Sequence, residues 1–88
     1  MPYVLKPTED FLAELAKLDK SIFSLVTKKL DKLEQVPQLS KPLEHYPGFY
    51  SERVKNYRIV FKIHGNEVIL YHIKKREVVY LDLKKFMN

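Results

Sequence analysis

The chain has no cysteine and no tryptophan, only two glycines among 88 residues, and no apolar run approaching a membrane span. Without cysteine there is no disulfide framework and no thiol chemistry. The three histidines, His45, His64 and His72, are too scattered to match metal-ligand spacing, so no metal and no cofactor is expected. Two glycines do not build a phosphate-cradling loop, and no Ser-His-acid set can be assembled. The N-terminus lacks the apolar core of a secretory signal, and no partner membrane is implied; the expected location is the cytoplasm.

Acid is scarce in one half of the chain. Residues 1–48 carry seven Lys and seven Asp/Glu, which cancel. Residues 49–88 carry nine Lys/Arg against four Asp/Glu, so the whole net charge of +5 lies there. That asymmetry points to a polyanionic partner, although a solvated lysine-rich face would give the same count. The length and the 45% hydrophobic content suit one domain, residues 1–88, with a single core.

Residues 2–6 alternate Tyr3 and Leu5 against Val4 and read as an opening strand, with Pro2 at a position a strand tolerates. Thr8 then caps a helix whose first turn holds Glu9 and Asp10, acids that suit the positive end of its dipole. Phe11, Leu12, Leu15 and Leu18 make its buried face. Asp19 or Ser21 caps a second helix with a stripe of Ile22, Phe23, Val26, Leu30 and Leu33, ended by Pro37. So short a connection makes an αα-hairpin. Residues 37–48 hold three prolines and a glycine and read as a loop.

From Phe49 the period becomes two. Residues 49–54 form a strand, turning at Lys55-Asn56 into Tyr57, Ile59, Phe61 and Ile63, which alternate with Arg58, Val60, Lys62 and His64. Gly65-Asn66 closes a hairpin onto residues 68–73, and residues 78–83 offer a last strand. The expected fold is α+β: an N-terminal strand, an αα-hairpin, then a three- to four-stranded antiparallel sheet with the helices on one face. The basic side chains must then emerge on the other.

Arg58 sits between core-facing Tyr57 and Ile59, so it points to the open face, as an ion-pair partner or as a phosphate ligand. Arg53 and Lys55 alternate with Val54 and, with Arg58 across the hairpin, make a cation cluster fit for a phosphate backbone or simply for solvation. Lys74, Lys75 and Arg76 precede Tyr80, whose ring suits an unpaired base or an edge of the core. His72 lies on a strand, where a histidine is more often a hydrogen-bonder than a base.

Taken together, the hairpin of residues 49–63 with its Tyr57-Arg58 pair, the run of residues 73–80, and Arg76 four places before Tyr80 resemble the RelE/ParE superfamily of toxins from toxin–antitoxin pairs. The resemblance runs over nearly the whole chain. For RelE-like members it implies a metal-independent, ribosome-dependent endoribonuclease cutting mRNA in the A site by attack of a 2′-hydroxyl on the adjacent phosphate, which inhibits translation. Carried over by position, it implies that Arg58, Lys74, Arg76 and Tyr80 are catalytic, Arg58 stabilising phosphate charge and Tyr80 stacking on the target base. It also makes Arg53, Lys55 and Lys75 RNA-binding. Ser51 stands where some members have lysine and no histidine precedes Tyr80, so the base falls to Lys55 or His72. The implied partners are a RelB-like antitoxin, whose amphipathic helix crosses the toxin surface, and the ribosome with its mRNA. The ParE branch shares the fold and implies a gyrase poison instead; a basic RNA-binding member without activity is the third possibility.

Overall fold

In a computed structural model, described here for residues 2–78, the helices and strands fall close to those boundaries. The first strand, β1, is Val4–Pro7, one or two residues later than its sequence pattern suggests. Thr8 caps helix α1, Glu9–Ala16, accepting from Phe11 N–H at 3.2 Å. The same hydroxyl donates to the Leu70 carbonyl at 2.9 Å, so the cap also fastens the helix to the sheet. Asp19 caps helix α2, Lys20–Gln35. The Ile22 N–H and then the Ser21 hydroxyl bond its carboxylate and hold its pKa below the ordinary value. A turn of 3₁₀ helix at Pro37–Leu39 follows.

The sheet has five strands in the order β1-β5-β4-β3-β2, where β2 is Lys41–Pro42, β3 is Phe49–Val54, β4 is Tyr57–His64 and β5 is Glu67–Lys75. Four strands after the helices pair antiparallel, as expected, and β1 joins β5 in parallel, so the sheet is mixed. The short β2 lies inside the proline-rich stretch expected to be loop, because Lys41 and Pro42 pair with Ser51 and Tyr50 at the sheet edge. Proline is tolerated there because an edge strand leaves one row of N–H groups unused. The expected last strand falls mostly outside the described residues; Val78, its first residue, is helical with Arg76 and Glu77.

One face of the sheet packs on both helices. Ile59, Phe61, Val68, Leu70, Ile73 and Val54 meet Phe11, Val26 and Leu33 there, all buried. Two expected core positions are not in it: Leu12 is 50% and Phe23 43% exposed, because each helix buries a narrower stripe than its full complement of apolar residues. The opposite face carries a smaller cluster of Phe49 and Val60, covered by Leu43, Tyr46 and Tyr71. Tyr71 reaches that face through a bulge. Val60 pairs with His72 and Phe61 with Leu70, which leaves Tyr71 as the extra residue.

Candidate nucleic-acid interface

Register decides what stands beside what. Arg53 of β3 pairs with Arg58 of β4, and Arg58 pairs with Lys74 of β5. Directly opposed residues have Cβ atoms roughly 5 Å apart, so three cations run across three strands on the helix-free face. Nothing in folding favours such a row, since opposed like charges destabilise a sheet. The other described members of the predicted set lie at the same end of the sheet, Lys75 on the helix side of it. Lys55 does not extend the strand as its alternation suggests; it takes the left-handed conformation (φ 57°) in the β3–β4 turn. There its carbonyl accepts from Arg53 Nε at 3.1 Å. Lys75 pairs with Tyr57, and the Arg76 N–H donates to the Asn56 carbonyl of the same turn at 3.0 Å. Tyr80, the remaining predicted residue, lies outside the described residues.

Arg58 is half-buried. Its Nη1 donates to the Ser51 hydroxyl at 3.2 Å, and Ser51 is itself buried. Its Nε is enclosed with no hydrogen-bond partner among the described residues. A buried donor left unmade costs about 1–3 kcal/mol, and such groups in a folded protein call for a reason. Among the described residues the guanidinium is fixed by packing and by Ser51, with no carboxylate paired to it at the centre of the row.

Among the described residues, the carboxylate that meets the row belongs to Glu14 of α1, a residue the sequence pattern passes over. β1 stops pairing at Leu70, so the edge of β5 beyond it is uncovered. Glu14 fills that gap. Its Oε1 accepts from the Ile73 N–H at 2.9 Å, and its Oε2 lies 3.0 Å from His72 Nδ1 and 3.3 Å from Lys74 Nζ. Beside it opens a cleft of about 300 Å³, floored by Leu18, Tyr57 and Ile73 and rimmed by Lys17, Lys74 and Lys75.

On the helix side of the sheet a carboxylate meets two lysines. Glu52, on the helix side, takes Lys29 at 3.2 Å, Lys32 at 3.3 Å and the Ser40 hydroxyl at 2.8 Å. Burial pushes its pKa up, but the Ser40 bond and the two lysines outweigh this and leave it below the ordinary value. On the open face Lys62 sits 5.5 Å above the Phe49 ring. Among the described residues no group of three His, Asp or Glu could hold a metal ion, and no helix is long and apolar enough to cross a membrane. Leu39 is 70% exposed, adding to Leu12 and Phe23 as uncovered apolar surface.

Comparison with known proteins agrees with this fold. A family profile described as the ParE toxin of the type II toxin–antitoxin system parDE matches residues 5–80. A mutant of the Escherichia coli toxin RelE in the free state superposes with a TM-score of 0.80 at 25% identity, covering 97% of this chain and 98% of that one. In the Mycobacterium tuberculosis RelBE2 toxin–antitoxin complex the matching chain gives 0.76 at 26% identity, covering 86% and 100%. A chain of the chromosomal ParDE system of Pseudomonas aeruginosa shares the fold, with a TM-score of 0.66 at 17% identity over 83% and 95%. No curated protein sequence matches the chain.

Proposed function

The chain belongs to the ParE toxin family of type II toxin–antitoxin systems, within the RelE/ParE superfamily, and from that premise we propose that its helix-free face cuts mRNA on the ribosome. The observation that carries this reading is the row Arg53–Arg58–Lys74, in which Glu14 meets only the Lys74 end among the described residues. A phosphate passing to a pentacoordinate transition state gathers negative charge, and donors already fixed in place stabilise it without reorganising. Arg58, held by Ser51 and flanked by two cations, is such a donor. The reaction is transesterification within the RNA. The 2′-oxygen bonds to the adjacent phosphorus, the bond to the 5′-oxygen breaks, and a 2′,3′-cyclic phosphate and a 5′-hydroxyl result. Arg53, Lys55, Lys75 and Arg76, grouped at the same end of the sheet, hold flanking phosphates. Tyr80 is assigned the target base by resemblance alone.

Neutralisation falls to an antitoxin. The E. coli and M. tuberculosis relatives occur in complexes of RelE with RelB. Leu12, Phe23 and Leu39 are among the uncovered apolar side chains that an amphipathic helix would bury. With the ribosome as its substrate carrier, the protein acts in the cytoplasm.

The test is cell-free translation with purified protein, mapping mRNA ends by primer extension, beside Arg58→Ala and Tyr80→Ala. Cuts at A-site codons that fade in both variants support the reading; intact mRNA overturns it. A gyrase poison is the second reading, favoured by the ParE profile itself, and inhibition of gyrase supercoiling with mRNA left intact would establish it.

A further inference from the structure

We infer that Glu14 is the positioning residue of this site, and that the group it positions as proton acceptor is His72. The inference rests on the nuclease reading above. It starts from a carboxylate with three partners and little freedom. The Ile73 N–H fixes one oxygen at 2.9 Å, and the other lies against His72 and Lys74. All three partners are on β5, which α1 meets through this contact and through Thr8.

An ionised carboxylate only accepts hydrogen bonds, so His72 must turn a proton toward it from Nδ1. In the neutral ring the lone pair then sits on Nε2. That tautomer is the one a general base requires, and a fixed carboxylate behind the ring also stabilises the imidazolium formed when the proton arrives. Sheet register puts the ring within reach. His72 is opposite Val60, two residues along β4 from Arg58, so it is a diagonal neighbour of Arg58, on the order of 7 Å away backbone to backbone. One phosphate and its ribose span such a gap. In the step itself the 2′-hydroxyl proton passes to His72 Nε2 as the 2′-oxygen bonds to phosphorus. The 5′-oxygen leaves with its electron pair and takes a proton from solvent.

Lys74 shares the same oxygen. It stands opposite Arg58, which repels its ammonium, and Glu14 keeps that ammonium at the β5 edge next to the row. The other base candidate, Lys55, is on the turn with its carbonyl engaged by Arg53, and among the described residues no carboxylate lies within hydrogen-bonding or ion-pairing distance of it.

The discriminating variant is Glu14→Gln, which keeps an oxygen for the Ile73 N–H and the shape of the side chain. Single-turnover cleavage on programmed ribosomes is measured for wild type, E14Q, His72→Asn, Lys74→Met and the doubles of E14Q with each. E14Q is expected to slow the maximal rate by about 10–100-fold, the scale of a misplaced catalytic group, while the half-saturating concentration and the melting temperature barely move. Its effect should shrink in the H72N and K74M backgrounds, because the residues it orients are gone. E14Q cutting at the wild-type rate overturns the role, as does an equal slowing in all three backgrounds. Should wild type itself leave mRNA intact, the nuclease reading falls and this role with it.

Discussion

Arg58→Met should make the protein more stable while abolishing its cleavage. The methionine replaces the buried stem of the arginine and removes its charge from between Arg53 and Lys74. Two unit charges about 7 Å apart repel by roughly 0.6 kcal/mol in water and by over 2 kcal/mol at an effective dielectric of 20. Measured penalties for opposed like charges in a sheet run at about 0.2–1 kcal/mol each. Arg53 supplies the larger share, because Glu14 already offsets the charge of Lys74. Removing the enclosed Nε recovers a further ~1–3 kcal/mol, but the methionine takes this bond from the buried Ser51 hydroxyl at a similar cost of about 1–3 kcal/mol. The two offset, and the balance is a gain of about 0.5–1 kcal/mol from the relieved repulsion, which for a chain of this size raises the melting temperature by about 2–8 °C. Cleavage, by contrast, should drop by roughly 10²–10³-fold, the cost of one lost transition-state donor.

Thermal unfolding at two salt concentrations reads the cause. The Debye length shortens from about 10 Å at 0.1 M to about 3 Å at 1 M, so the repulsive part of the gain should fade in high salt. If Arg58→Met melts below wild type, and by the same margin at both salts, then Arg58 is a structural tie through Ser51. The cation row would then carry no measurable strain.

Three further outcomes follow from the same structure. Glu52→Gln should destabilise at neutral pH by about 1.5–3 kcal/mol, the scale of a hydrogen bond to a charged group, since it strands Lys29 and Lys32. Because the folded pKa of Glu52 lies below its ordinary value of 4.5, that contribution is present above about pH 4.5 and lost as pH falls through the folded pKa. Melting curves of the two proteins should therefore converge as the pH falls through the folded pKa of Glu52. Phe61→Ala, at the centre of the main core, should cost about 3–5 kcal/mol by urea denaturation. Thr8→Ala removes both the α1 cap and the tie to the Leu70 carbonyl, and should cost about 1–2 kcal/mol, with faster amide exchange in α1 as its signature.

What the sequence conveys and what it withholds divide along the range of the interactions. The period-two run from Tyr57 to Ile63 and the Gly65-Asn66 turn fix β4, β5 and their pairing locally as far as Phe61 opposite Leu70; beyond it the register moves by one, and only that shift sets Lys74 rather than Ile73 opposite Arg58. Thr8 and Asp19 announce their helices in the same way. The parallel pairing of β1 with β5 bridges more than sixty positions and leaves no local trace, since Val4–Pro7 alternates identically whichever strand it joins. The bulge at Tyr71 is equally silent, because an extra residue shows only against its partner strand. Glu14 is the instructive case. It lies in the last turn of α1, where the helix dipole disfavours an acid and where no basic residue offsets it. An acid placed against the local preference marks a partner elsewhere, but not which one. Its partners, His72, Ile73 and Lys74, stand 58 to 60 residues away, and only the fold brings them together. A local rule broken in sequence thus lands next to the candidate chemistry, as expected where a site takes precedence over the helix that carries it.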